Sequence, residues 1–292
     1  MFVINAKVFD YSDCTLGEGA LWDKTQNSLI WLDICKHEMY RRNIQTKNKK
    51  MIKLPSLTGC VCLTKTGGYL ITGNDGVTFF DEHGERATIN VPDFDPKVVR
   101  MNDGKVDPFG NLVFGSMDLN ERRAIGKLYR LTPDRKVSIL LENVVICNGP
   151  AFSNDGTWMY FSDSINGQII KFPYSADGVD KENGKIFYKC KSRTEAPDGL
   201  TVDKHGNVWV AIWGGGCVLC LGHEGMTLGK IHIPTQNVTS CTFGGDSLDH
   251  VFVTTAKKDC AKSELRRGSA GSVFWAFVGT EGVLPARFES VW

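Results

Sequence analysis

The feature of this chain that most restricts its fold is a phrase that returns six times. A small or acidic residue, two intervening residues and usually a Gly lead into a run of alternating apolar residues. It is clearest at Asp107-Pro-Phe-Gly110 before Asn-Leu-Val-Phe-Gly, and at Asp203-Lys-His-Gly206 before Asn-Val-Trp-Val-Ala. The copies open at residues 23, 64, 107, 153, 203 and 246, at intervals of 41, 43, 46, 50 and 43. Repeats of about 40–50 residues holding several short strands characterise propeller blades. Each phrase reads as a hairpin turn, in which Gly takes a positive φ and the Asp or Asn side chain bonds nearby backbone. A second hairpin follows at Gly76, Gly126, Gly167, Gly216 and Gly271, and no stretch holds a helical period. The expectation is an all-β chain, a six-bladed β-propeller with four antiparallel strands per blade, as one domain over residues 1–292. The strand-like run from Phe2 to Phe9 is expected to close the ring beside the last blade, whose final strands fall near Phe274 and Phe288.

Charge and composition exclude several partners. With 34 basic and 33 acidic side chains the formal net charge is +1, so nothing favours nucleic acid or an anionic membrane. The first ten residues hold too short an apolar run for a secretory signal, and no stretch approaches the ~18 apolar residues of a membrane span. The ten cysteines therefore read as small buried hydrophobes in a reducing, cytoplasmic setting. Cys60 and Cys62 flank Val61 in a strand. Cys217 and Cys220 have redox or zinc spacing, but no second pair or His pair accompanies them, so strand cysteines is the reading.

The repeat also places residues around a channel. Five residues before the opening position stand Glu18, Asn102, Asn148 and Asp198, in blades one, three, four and five; blades two and six have Gly59 and Cys241 there. Side chains in one register of a radial repeat come to one height, so these four are expected to converge at one mouth. Singly, each Asp-Gly or Asn-Gly reads as an ordinary turn dipeptide; the shared register favours a site. Two carboxylates facing across a narrow channel repel, and a divalent cation would relieve that. An all-oxygen set suits Ca²⁺, Mg²⁺ or Mn²⁺. Arg100, two residues before Asn102, points the same way and suits a substrate carbonyl or carboxylate.

Five segments in order resemble the gluconolactonase family, which includes regucalcin (senescence marker protein). They are Leu16-Gly-Glu-Gly-Ala-Leu-Trp-Asp23, Arg100-Met-Asn-Asp-Gly-Lys-Val-Asp-Pro-Phe-Gly110 with Gly115-Ser-Met117, Asn148-Gly-Pro-Ala-Phe-Ser with Phe161-Ser-Asp-Ser164, Pro197-Asp-Gly-Leu-Thr-Val-Asp203, and Thr239-Ser-Cys-Thr-Phe-Gly-Gly245. The resemblance implies one catalytic divalent metal, with Ca²⁺, Zn²⁺, Mn²⁺, Mg²⁺ and Fe²⁺ all occurring in the family. By position it makes Glu18, Asn148 and Asp198 the metal ligands, and Arg100 and Asn102 the substrate contacts. Family members carry acidic residues after the Gly-Thr-Met segment that grip the sugar; here Asn120 stands at the matching place.

The implied activity is that of a carboxylic ester hydrolase, a lactonase opening a small sugar lactone such as glucono-, xylono-, arabino- or galactonolactone. Asp198 is the candidate general base, because it can hold the attacking water against the carbonyl. Arg100 and Asn102 would orient the lactone and stabilise the oxyanion. No Gly-x-Ser-x-Gly elbow and no Ser-His-Asp set is present, and His205 reads as a solvated turn residue. A monomer or weak homodimer is expected. The rival readings are a non-catalytic Ca²⁺-binding regulatory propeller, a protein-interaction propeller, and the same fold acting on organophosphates or aryl esters.

Overall fold

The six turn phrases build six hairpins. In the third and fifth copies of the phrase the opening carboxylate is fully buried and held chiefly by its own turn. Asp203 Oδ1 accepts the backbone N–H of His205 and Asn207, both at 2.9 Å, while Oδ2 accepts Asn207 Nδ2 at 2.9 Å and Trp209 Nε1 at 3.0 Å. Asp107 repeats this with Phe109 and Asn111, and adds the Tyr174 hydroxyl at 2.6 Å. The aspartate thus pins the turn and the following strand together, and His205 beside it is exposed. Asp203→Ala would leave four donors unpaired around a cavity, so a loss of about 3 kcal/mol or more is expected by urea unfolding. A loss below ~1 kcal/mol would show that water replaces the carboxylate.

The computed structural model describes residues 1–81 and 84–289. Within them the strands form six sheets in chain order, antiparallel apart from one N-terminal edge strand. Their first strands are Gly17–Asp23, Cys60–Leu63, Val99–Val106, Cys147–Phe152, Ala196–Val202 and Val238–Gly244, and each touches the first strand of its neighbours, so these six make the inner ring. The hydrophobic core divides into six clusters, each shared by two adjacent blades, including the last and the first. That closure rests on Trp22 of blade one stacked on Phe252 of blade six, ring centroids 5.4 Å apart. The fold is the expected six-bladed propeller. The described helix is one turn, Lys262–Leu265, and no described helix is long and apolar enough to cross a membrane.

The ends of the chain differ from expectation. Lys7–Asp10 pairs antiparallel with Val273–Phe277 and closes the last blade, with Val8 opposite Phe274. Phe2–Asn5 instead runs parallel to Thr227–His232 as a fifth strand on blade five. Ala6 separates the two, its N–H held by His232 O at 3.0 Å. Phe288 lies outside the last blade: it bridges Thr64 and is buried in the core between blades two and three. The tail crosses the face from which the turn phrases project, bridging Asp203 through Gly282 on its way, with Arg287 on Asp23 at 2.7 Å. Cys217 and Cys220 are buried strand residues, and the cysteines are all free.

Candidate functional site

The inner strands are not regular where the site forms. In blade one the pairing of Glu18 with Leu32 gives way to Leu21 with Ile30, so two residues of the inner strand go unmatched. The same shift falls between Met101 and Gly104, Asn148 and Ala151, and Pro197 and Leu200. Such bulges bend a strand and re-aim its side chains. Here they fall at one height in blades one, three, four and five, which is why Glu18, Asn102, Asn148 and Asp198 face one cavity. The inner strand of blade two has no bulge, and a Cβ on Gly59 would come within 2.5 Å of the Asn102 backbone nitrogen. Gly59 therefore lets blade three close in and sets the position of Asn102.

The cavity, about 220 Å³, is lined by all four together with Arg100, Ser164, Glu121 and Lys258. A hydrogen-bonded chain crosses three blades along its floor. Arg100 Nη1 donates to Asn102 Oδ1 at 2.6 Å, and Asn102 Nδ2 donates to Asn148 Oδ1 at 2.5 Å and to Cys147 O at 2.7 Å. Asn148 Nδ2 donates to Ser164 Oγ at 3.0 Å, and Ser164 donates to Pro197 O at 2.7 Å, beside Asp198. This chain orients the two amides: each carbonyl oxygen is identified by the donor it receives. Asp198 Oδ1 is the exception, a buried acceptor with no partner.

The electrostatics are unbalanced. Burial drives the Glu18 carboxyl up to about 8, the charge of Asp103 adding to it and Gly19 N–H and Arg100 opposing. Burial likewise holds Asp198 well above the ordinary carboxylate range, with Glu18 and Asp103 pushing the same way and Arg100 opposing. Burial pulls the Arg100 guanidinium down, while Glu121, Glu18 and Asp198 hold it up. Two desolvated carboxyls and an orphaned oxygen are a set that a divalent cation would complete. Among the described residues no group of three or more His, Cys, Asp or Glu side chains is placed to hold an ion; the donors here are two carboxylates and an amide.

Asn120 is exposed in the turn after Leu112–Asp118, away from the cavity lining, and Glu121 lines it instead. The reason is local: Glu121 takes φ +58, and its N–H closes the turn onto Asp118 O at 3.0 Å, which reverses the chain by one residue. Glu121 Oε1 then meets Lys258 Nζ at 2.5 Å, a contact from blade three to the loop of blade six on the opposite side of the ring. Ser164, Glu121 and Lys258 were not singled out by the repeat, because none stands in the inner-strand register. The Phe161-Ser-Asp-Ser164 segment was the available signal for the first.

Residues 16–257 match the family described as the SMP-30/Gluconolactonase/LRE-like region. Human regucalcin is 31% identical over 285 residues, covering 94% of this chain and 95% of its own length. The 6-deoxy-6-sulfogluconolactonase of Pseudomonas putida is 30% identical over 277 residues, covering 94% of each chain. The solved structure of a calcium-binding protein, regucalcin from Agrobacterium tumefaciens, matches with a TM-score of 0.92 at 24% identity, covering 99% of this chain and 98% of that one. At that identity the likeness bears on the fold.

Proposed function

This chain belongs to the SMP-30/gluconolactonase/LRE-like family, and from that premise we propose that it hydrolyses a small sugar-acid lactone to the open-chain aldonic acid with the help of one divalent metal ion. The observation that carries this reading is the Asp198 carboxylate, buried with one oxygen unpartnered, beside a guanidinium fixed on Asn102. Glu18, Asn148 and Asp198 would hold the ion. When bound, it would supply Lewis-acid polarisation of the lactone carbonyl and acidify a water. Arg100 donates to the carbonyl oxygen as charge develops there, and Asn102 keeps the guanidinium in place. Asp198 takes the proton from the attacking water and returns it to the ring oxygen as the acyl–oxygen bond breaks. Glu121, held by Lys258, faces the hydroxyl-bearing end of the substrate. A purely regulatory calcium site has no use for Arg100 in its wall. The test is acid release from a panel of glucono-, xylono-, arabino- and galactonolactones with each of Ca²⁺, Zn²⁺, Mn²⁺, Mg²⁺ and Fe²⁺; no turnover with any combination would leave the regulatory reading.

Metal removal gives a second check. Glu18 ionises near 8 in the fold against an ordinary 4.5, and Asp198 is shifted in the same direction. A carboxyl with a raised folded value binds its proton more tightly folded than unfolded. Stability of the chelated protein is therefore greatest below the ordinary carboxylate range and is lost as pH rises toward 8. Two such groups should lower Tm by roughly 5–10 °C between about pH 5 and pH 8 in chelator. Added divalent ion should restore it most at the alkaline end, where protons no longer compete. A flat Tm profile in chelator would show that the two carboxylates are not held together uncompensated.

A further inference from the structure

The channel has a second mouth, on the face crossed by the C-terminal tail, and there the Lys105 ammonium, beside the Asp103 carboxylate, keeps donors that the described residues do not use. A cavity of about 190 Å³ opens below the inner strands and is roofed by residues 283–286. It shares no lining residue with the Asp198 cavity. Lys105, three residues after Asn102 on the same strand, reaches across the channel to the carbonyl oxygen of Leu200 in blade five, its one hydrogen-bond acceptor among the described residues. Asp103, on the same strand, uses its carboxylate on backbone: Oδ1 accepts Gly104 N–H at 2.7 Å and Oδ2 accepts Gly149 N–H at 3.0 Å. An ammonium has three donors, so two remain for whatever fills the cavity. Ser240 Oγ lines the same space and has no partner among the described residues. The remaining wall is mostly apolar, from Val61 of blade two and Leu200 and Val202 of blade five to Leu284 and Pro285 of the tail, with Asp103, Asn154, Thr201 and Thr242 among its polar members. Val283 and Leu284 are 43% and 47% exposed at the rim, so the entrance is apolar as well.

We propose that this second mouth is a binding site for a small carboxylate with an apolar body, its carboxylate on Lys105 and Ser240 and its body under the tail. The size is informative. An engineered apolar cavity of about 150 Å³ holds benzene, so about 190 Å³ suits a six-membered ring bearing a carboxylate. Charge-assisted bonds from a poorly solvated ammonium favour the anion over a neutral isostere, and the mostly apolar wall and rim disfavour a polyhydroxylated acid. Burial already pulls the Lys105 ammonium below its ordinary value, against the attraction of Asp103, which a bound carboxylate would offset.

The test is titration of the full chain with benzoate, benzyl alcohol and gluconate by calorimetry and ligand-observed NMR, in chelator so that no divalent ion collects a carboxylate at the other mouth. Benzoate should bind, with benzyl alcohol and gluconate each at least about tenfold weaker. Lys105→Met and, separately, Ala286→Trp, which fills the space under the tail, should each weaken benzoate by about tenfold or more. Ala286→Trp should leave activity at the other mouth unchanged. Should Lys105→Met fail to fold, Ala286→Trp decides alone. The proposal is overturned if benzoate does not bind, if folded variants bind it as the wild type does, if benzyl alcohol or gluconate binds equally well, or if Arg100→Ala is what removes binding.

Discussion

Asp198→Asn is expected to lower lactone turnover by about 10²–10⁴ while weakening metal affinity far less. The amide still offers a carbonyl oxygen to a hard cation, but at neutral pH it cannot take a proton from water, and general-base catalysis is typically worth that factor. The structure adds a reason to expect the fold to survive. Asp198 Oδ1 has no hydrogen-bond partner, so the isosteric amide breaks no bond to that atom. It also removes a carboxyl whose ionisation burial and Glu18 oppose. The metal-free variant should therefore be at least as stable as the wild type at pH 8. Metal affinity by calorimetry and turnover at saturating metal, on the same purified protein, separate the roles. Wild-type turnover in Asp198→Asn would mean that another group takes the proton.

Arg100→Ala should cost about 10²–10³ in kcat/KM with metal affinity kept. Removing one fixed oxyanion donor typically costs that much in rate, and here the same guanidinium also orients the substrate, so the loss should be divided between kcat and KM. Two consequences follow from its contacts. Asn102 Oδ1 loses its donor, although Nδ2, on Asn148 Oδ1 and Cys147 O, still holds the amide's orientation. Glu18 and Asp198 lose a cation that opposes their ionisation cost. Arg100→Lys should recover only part of the rate, because an ammonium cannot bond Asn102, the Met101 carbonyl and a substrate oxygen in one fixed fork. Should Arg100→Ala lose metal affinity and turnover in equal proportion, the arginine is a structural counter-charge rather than a substrate contact.

The blades and the four inward-facing positions were legible because both depend on local rules that repeat. The Asp203 side chain bonds atoms within six residues of itself, and Asp107 does the same apart from the Tyr174 hydroxyl, so the meaning of such a turn aspartate is largely written in the adjacent sequence. The bulges that aim Glu18, Asn102, Asn148 and Asp198 are local in the same way, each marked by a Gly within two residues. Counting from one repeat to the next then predicts which side chains share a height.

What the repeat could not convey is whatever departs from six-fold order. A single left-handed residue turns Glu121 into the cavity and Asn120 out of it, a difference of one position that no register count resolves. Lys258 gains its meaning only from Glu121 on the far side of the ring, 137 residues away. The N-terminal run reads as one strand, yet it divides at Ala6 because two different blades offer an open edge to it. Phe288 reads as part of the last blade but is drawn to the apolar seam between blades two and three. By itself the sequence determined the propeller, its period and its channel-facing register, because these follow from hydrogen bonds and alternation within a few residues. The tertiary structure decided which loops meet over the site and where the chain ends lie, because those choices depend on surfaces that exist only once the ring has closed.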